Sequence, residues 1–199
     1  MKMAGNFDNK INSVSLTKLQ TTELSSNERV FKRSDLIPVR KDVIWRIEQG
    51  IVRAMTWYED GTNVSLGYWG KGDLIGQPLS DINPYQLVCL SNVELVTIPP
   101  QRWHEEMEGL LLHIRQSEKM LSLVQQKPLS LRLKNFLLWM ANKFGREEDE
   151  GVLIDASITH QEIAEALNTT RVTITRLFSE FEQGGIIARR GRRISLLKK

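Results

Sequence analysis

The sequence has a single cysteine, three histidines and no long apolar run. Because Cys89 has no second cysteine to join, one chain forms no intrachain disulfide and holds no cysteine-ligated zinc or iron–sulfur centre. No apolar stretch reaches the roughly 20 residues of a membrane-spanning helix, and the polar N-terminus lacks a signal-peptide core. We therefore expect a cytoplasmic protein with no membrane partner, and we predict no cofactor and no metal.

Side chains that commonly perform catalysis are sparse and scattered. The histidines and the acids Asp81 and Asp155 form no nucleophile–base motif, and the chain has no phosphate loop and no metal-binding spacing. The sequence therefore does not predict an enzyme.

Positive charge is concentrated at the C-terminal end of the chain. The formal net charge is only +3 at pH 7, yet residues 168–199 contain eight basic and two acidic residues. A basic end on a nearly neutral body is typical of a protein that binds nucleic acid, although a solvated basic face would explain the charge alone. The acidic run at 146–150 is predicted to be a solvated loop.

Residues 27–100 are predicted to form a β-domain, preceded by a flexible arm at 1–26. Val43, Trp45 and Ile47 lie at alternate positions, as on one face of a strand. Asp60-Gly61 is a strong hairpin signal, and Pro99-Pro100 ends the last strand. Six or more short strands at this spacing favour a barrel or a rolled sandwich.

Residues 101–127 are predicted to form a dimerisation helix. Their apolar positions repeat at alternating intervals of four and three, the pattern of a heptad seam. The predicted seam consists of Trp103, Met107, Leu110, Ile114, Ser117, Leu121 and Val124. An ordinary amphipathic helix buried within one chain is the alternative. Pro128 then disfavours helical geometry at Lys127 and marks a break.

Residues 128–199 are predicted to contain a helix-turn-helix. Thr159 and Glu162 match the capping box at the start of one helix. Asn168 tolerates the left-handed conformation of a tight turn, and Thr169 or Thr170 is placed to cap a second helix. Helix, short turn and helix is the plan of a major DNA-binding motif.

The second helix of this motif and the hairpin after it carry the DNA-binding chemistry. Counted at 100° per residue, its apolar residues share one side, and its arginines, hydroxyls and one valine share the other. Arginine pairs with guanine, an apolar group contacts the thymine methyl, and a hairpin with a basic tip suits phosphates. The predicted DNA-binding residues are Gln161, Thr170, Arg171, Val172, Thr173, Thr175, Arg176, Arg189, Arg190, Arg192 and Arg193.

The runs Ile158–Ala164 and Thr169–Leu177 resemble the helix-turn-helix of the cAMP-receptor/fumarate–nitrate-reduction (CRP/FNR) regulators, and are most similar to the cyanobacterial global nitrogen regulators. Turn glycines such as Gly50 also fit, so the resemblance covers about residues 30–199. It implies an α+β protein with a cyclic-nucleotide-binding-like β-roll, a long dimerisation helix and a C-terminal winged helix-turn-helix. It further implies a homodimer on palindromic double-stranded DNA, with Arg171 and Arg176 as base readers and RNA polymerase as a partner.

The effector pocket that this resemblance implies departs from the family pattern. The family holds the ribose with a Gly-Glu pair and the phosphate with an Arg-Ser pair, whereas this chain has Gly76-Gln77 and, near the phosphate position, Asn83 in a shortened loop. A buried phosphate without a guanidinium is strongly disfavoured, so we predict no control by cAMP. The candidate pocket comprises Gly76, Gln77, His113, Ser117 and Glu118, and its ligand is unknown.

Two functions stay open at this point. The first is a sequence-specific transcription regulator that reads GTA/TAC-like half-sites, because Val172 replaces the acidic residue that cAMP receptors use to accept from cytosine. The second is a module that senses a ligand or a partner protein and touches DNA only loosely.

Overall fold

The computed structural model describes residues 27–198, so the predicted arm at 1–26 lies outside the described residues. The N-terminal part is a β-roll of two four-stranded antiparallel sheets. Its strands are β1 (Glu28–Phe31), β2 (Leu36–Ile37), β3 (Ile44–Gln49), β4 (Val52–Trp57), β5 (Asn63–Trp69), β6 (Leu74–Ile75), β7 (Gln86–Cys89) and β8 (Val93–Ile98). The strand orders are β1-β8-β3-β6 and β2-β7-β4-β5.

Two glycines form tight turns in the β-roll. Gly50 joins β3 to β4 with a φ of +94°, and a Cβ there would lie 2.1 Å from the backbone oxygen of Asn92. Gly61, with a φ of +82°, closes the β4–β5 hairpin beside a 3.0 Å hydrogen bond from the Tyr58 N–H to the Thr62 carbonyl. Left-handed backbone is strained for residues with a Cβ, so both turns favour glycine.

Apolar side chains from the strands fill the space between the two sheets. Val43, Trp45 and Ile47, which were predicted to share one strand face, are all buried there. Leu87 and Leu95, from β7 and β8, lie in the same cluster. This cluster forms the core of the roll and leaves the following helices to pack on its outside.

Two helices follow the roll and are separated at Pro128. A 3-10 segment covers Pro100–Glu106, helix α1 covers Met107–Val124 and helix α2 covers Leu129–Phe144. The α-helix thus begins six residues after the predicted start at 101, since the Trp103 indole N–H donates to the Ile98 carbonyl at 3.0 Å and holds a tighter turn. Pro128 has extended backbone, in keeping with its inability to continue a helix.

The C-terminal module combines two helices with a four-stranded antiparallel sheet. Its elements are β9 (Gly145–Glu148), β10 (Gly151–Ile154), α3 (His160–Ala166), α4 (Arg171–Gln183), β11 (Ile187–Arg190) and β12 (Arg193–Leu197). The strand order is β11-β12-β10-β9. The acidic run, predicted to be a loop, instead forms β9 and the following turn, because its backbone pairs with β10 while its side chains stay exposed.

One buried cluster joins the β-roll, the long helices and the C-terminal module. Tyr68 of the roll, Phe136 of α2 and Phe178 of α4 are all members, each at most 1% exposed. The helix-turn-helix is therefore packed on the roll and on α2. The predicted α+β architecture, with a β-roll, long helix and winged helix-turn-helix, is confirmed.

Candidate nucleic-acid interface

Local hydrogen bonds begin both helices of the helix-turn-helix as predicted. The Glu162 N–H donates to the Thr159 hydroxyl at 3.1 Å, and the Thr159 N–H donates to the Glu162 carboxylate at 2.6 Å, which completes the capping box. Asn168 has a left-handed φ of 49° in the turn. Thr170 caps α4 by accepting from the Thr173 N–H at 3.2 Å, so its hydroxyl serves the helix end.

Helix α4 has one buried and one exposed face. Its buried residues are Ile174, Leu177, Phe178 and Phe181. On the opposite face Val172 is 78% exposed, and Arg171, Thr175 and Arg176 are exposed around it. Arg176 pairs with Glu180 one turn later at 2.5 Å, a surface contact that a stronger partner would displace at small cost.

The four arginines at the tip of the β11–β12 hairpin, the wing, fall into two groups. Arg190, Arg192 and Arg193 are exposed, as a phosphate-binding role requires. Arg189 instead forms a two-pronged ion pair with Glu182 of α4, at 2.8 and 2.5 Å. Arg189 therefore joins the wing to α4, the recognition helix of the motif, and the sequence prediction that treated the four arginines as equivalent missed this contact.

His160 lies between α4 and the wing, and the sequence pattern did not predict a role for it at this site. Its Nδ1 is 2.9 Å from the Thr175 hydroxyl, and its Nε2 is 2.9 Å from an N–H of Arg189. Because Arg189 only donates, Nε2 accepts and Nδ1 carries the proton. Burial, helped by the charges of Arg189 and Arg171, lowers the pKa of His160 and keeps the ring neutral.

A surface depression gathers predicted DNA-binding residues from three elements. It has a volume of about 480 Å³, and its lining includes Gln161 of α3, Arg171 of α4, and Arg189 and Arg192 of the wing region. Its cations and amide match the charge and hydrogen-bonding needs of a phosphate backbone. Gln161 also donates to Glu165 at 2.9 Å, which orients its amide.

The predicted seam on α1 is only partly exposed. Trp103 and Leu110 pack on a cluster of Ile44, Leu74 and Ile98, and Val124 packs on the main core. Met107, Ile114 and Leu121 are 58%, 54% and 60% exposed, and Leu111, beside them, is 46% exposed. The exposed apolar stripe, hereafter the α1 stripe, therefore consists of Met107, Leu111, Ile114 and Leu121. Leu111 takes the place that the sequence pattern assigned to Leu110.

The candidate effector residues have different surroundings. The Gln77 amide donates to the Ser80 carbonyl at 2.7 Å, and a Cβ on Gly76 would lie 2.6 Å from the Val43 carbonyl. His113 stacks on Trp69 with ring centroids 4.1 Å apart and contacts the Leu74 carbonyl at 3.0 Å. Ser117 and Glu118 are exposed on α1. Gln77 is therefore held against its own loop and His113 against Trp69, while a pocket formed by all five residues stays a prediction.

The shortened loop after Gln77 does have a nearby cation that the sequence did not suggest. Lys41 lines an open depression of about 530 Å³ together with Gln77, Asp81 and Asn83. Lys41 is exposed, and Asp81 offsets its charge within the same depression. The depression therefore lacks the buried guanidinium that a cyclic-nucleotide phosphate requires.

Within residues 27–198, no helix combines the length and apolar character required to span a bilayer. The same residues contain no group of three or more His, Cys, Asp or Glu side chains placed to hold a metal ion. Cys89 is buried, and this burial raises the pKa of its thiol to about 12, so it acts as a small core residue.

Comparison with known proteins identifies the family. Residues 131–199 match the Crp-like helix-turn-helix domain. The regulatory protein CysR of Synechococcus elongatus is 43% identical over 163 residues, which cover 80% of this chain and 79% of that protein. The chain belongs to the CRP/FNR family of transcription regulators. It is therefore a regulator with a DNA-binding helix-turn-helix and not an enzyme, as the sequence predicted.

Other CRP/FNR proteins agree over most of the chain. The global nitrogen regulator of Synechococcus elongatus is 27% identical over 195 residues, covering 89% of this chain and 86% of that protein. A CRP-family transcriptional regulator from Thermus thermophilus has the same fold, with a TM-score of 0.75, 23% identity, and coverage of 85% of this chain and 92% of that one. The predicted resemblance to CRP/FNR regulators near the nitrogen regulators is confirmed.

Proposed function

We propose that the protein is a homodimeric regulator that reads a palindromic DNA site with GTA/TAC-like half-sites. One observation carries the proposal. A capped recognition helix presents Arg171, Val172 and Arg176 to solvent, and Arg171 shares a basic depression with Arg192 of the wing. This arrangement supplies base-reading groups and phosphate-binding groups on one surface.

The exposed groups favour particular base pairs. The guanidinium forks of Arg171 and Arg176 match the O6 and N7 acceptors of guanine, and each such pair contributes about 1–3 kcal/mol of discrimination. Val172 offers methyl groups to thymine and no acceptor to cytosine. This combination favours GTA over the half-site of the cAMP receptors.

The remaining predicted residues hold the DNA backbone or support those that do. Arg190, Arg192 and Arg193 are exposed on the wing, where they would neutralise phosphates. The hydroxyls of Thr170, Thr173 and Thr175 are hydrogen-bonded within the motif, so in this proposal they contact DNA through their remaining hydrogen-bonding capacity. The Gln161 amide, oriented by Glu165, faces the same depression as Arg171. Arg189 acts indirectly in this proposal, since its pairing with Glu182 holds the wing against α4.

The α1 stripe supports the proposed dimer. Four large apolar side chains lie along one face of an 18-residue helix, and each is about half exposed. Pairing two such stripes about a two-fold axis would bury them and present two recognition helices to a palindrome.

Control by cAMP is not part of this proposal. His113 of α1 is stacked on Trp69 of the roll, and neutral Gln77 stands in place of the ribose-binding Glu. We infer that the dimer binds its DNA site without a ligand and that its protein partner is RNA polymerase. The identity of any effector is unknown.

Selection of bound oligonucleotides from a random pool, with the full chain, tests this function. A recovered palindrome of GTA/TAC-like half-sites, with centres about one or more helical turns apart, would support it. A TGTGA-type consensus would contradict the base-reading assignment. Enrichment without any palindrome would favour a module with loose DNA affinity.

A further inference from the structure

A buried ionic contact ties the β-roll to the first helix of the helix-turn-helix. Arg53 of β4 is 4% exposed, and its guanidinium pairs with the carboxylate of Glu165 on α3. A second N–H group of Arg53 lies 3.9 Å from a carboxylate oxygen of Glu162, also on α3. These three residues are called the β4–α3 clasp below.

Neighbouring side chains hold both partners of the clasp in place. On the β-roll side, Arg53 donates to the Ser65 hydroxyl at 2.8 Å. Glu165 accepts further hydrogen bonds from Asn63 of the roll at 3.3 Å and from Gln161 of α3 at 2.9 Å. Burial opposes the ionised form of Glu165, but the hydrogen bonds from Gln161 and Arg53 outweigh it and lower its pKa. The clasp is therefore an ordered ionic network.

Stability alone gives little reason for such a contact. Removing two charges from water costs about as much as their attraction returns, and well-packed apolar residues often serve equally well. Ionic contacts differ from apolar ones in their strict geometry, so the clasp favours the orientation of α3 on the roll in which these contacts form.

The orientation that the clasp fixes leaves the reading face free. Val172 is 78% exposed, and Arg171 and Arg176 are exposed beside it. The packing of α3 on the roll is therefore compatible with DNA binding, and the clasp adjoins the candidate interface through Gln161, which donates to Glu165 at 2.9 Å.

We propose that Arg53 is a positioning residue for DNA recognition, which fixes the helix-turn-helix on its own β-roll so that the dimer holds its two recognition helices at a set spacing. This inference rests on the proposed homodimer. If the helix-turn-helix modules of a dimer were loosely held, they would lose orientational freedom on binding both half-sites, and this loss would lower affinity. Modules held by the clasp have already lost that freedom before DNA binds.

The test compares binding of the full chain to a palindrome, to a single half-site, and to palindromes with one base pair added or removed at the centre. Arg53→Gln removes the charge but keeps hydrogen-bonding capacity, and Glu165→Gln tests the other partner. Arg40→Gln is the matched control, because Arg40 pairs with Asp42 on the roll surface, where their side chains are 62% and 59% exposed.

We expect R53Q and E165Q to lower palindrome affinity by at least about tenfold, while the half-site affinity of R53Q stays within about threefold of wild type. E165Q also changes the partner of the Gln161 amide, a predicted DNA-binding group, so the half-site comparison uses R53Q alone. We also expect both variants to discriminate less than wild type between the correct and the altered spacings. R40Q should match wild type in all three measurements. A change of spacing preference is the decisive readout, because simple destabilisation would not produce it.

Two results would overturn the inference: R53Q with the palindrome affinity and spacing preference of R40Q, or an equal loss of half-site and palindrome binding. Hydrogen exchange of the α3 amides tests the clasp without relying on the dimer, and R53Q should accelerate it relative to R40Q. If wild type shows no preference for a palindrome while R53Q loosens α3, the proposed dimer fails and the clasp stands as a contact only. If hydrogen exchange of the α3 amides is the same in R53Q and R40Q, the clasp does not hold α3 on the roll and the inference is wrong.

Discussion

Replacing Ile114 with aspartate places a charge in the middle of the α1 stripe. Ile114 is 54% exposed in one chain, so pairing would cover about half of a side chain whose full burial is worth roughly 1.5–3 kcal/mol. Truncation by Ile114→Ala therefore removes about 1 kcal/mol per protomer and about 2 kcal/mol per dimer, which raises the dimer Kd about 30-fold.

Aspartate has a larger effect than alanine at this position. In a symmetric dimer each change occurs twice, and the two carboxylates would also be desolvated near each other at a cost of several kcal/mol per ion. We expect Ile114→Asp to raise the dimer Kd by at least about 1,000-fold and to give monomers at micromolar concentration.

Sedimentation velocity across the micromolar range measures this effect. Leu112→Asp is the matched control, since Leu112 is 40% exposed on the same helix but lies 140° around it from Met107. It should remain a dimer. If wild type is itself a monomer, or if both aspartates dissociate the protein equally, the assignment of the α1 stripe is refuted.

Further predictions concern base reading, the wing, the effector and pH. Val172→Glu adds an acceptor for the cytosine amino group, so oligonucleotide selection should shift from GTA toward a cytosine-containing half-site. Arg192→Ala should lower the slope of log K for DNA binding against log salt concentration by about one, because one phosphate contact is lost. Arg189→Ala should instead lower the free energy of unfolding by about 1 kcal/mol, as measured by denaturant unfolding. Neither cAMP nor cGMP at sub-millimolar concentration should change operator affinity in gel shifts, and a micromolar Kd for cAMP by calorimetry would contradict this. The pKa of His160 is lowered in the folded protein. Neutral His160 therefore stabilises the fold above about pH 6.5, and this stabilisation is lost as the pH falls through the pKa of the folded state. In denaturant unfolding between about pH 5 and 7, His160→Gln should lack this part of the pH dependence.

Features that depend on neighbouring residues were predictable from the sequence. The capping box of Thr159 and Glu162 lies within one helical turn, and Asn168 adopts the left-handed turn conformation that its side chain tolerates. The buried face of α4 follows from helical periodicity alone, because Ile174 and Phe178 are one turn apart. The glycine turns of the roll are equally local, since each depends on the φ of one residue.

Other features of the site depend on contacts between distant segments, and sequence patterns do not rank these. Leu110 and Leu111 are adjacent leucines only 100° apart on α1, and only the position of the β-roll decides that the first is covered and the second exposed. Arg189 belongs to a run of similar arginines, but Glu182 and His160 lie where they engage this one alone of the four. Arg53 lies 112 residues from Glu165 in the chain, so no local period connects them. In this molecule the surface proposed to read DNA is therefore encoded locally, whereas the orientation of that surface is encoded by pairs of residues that meet only after folding.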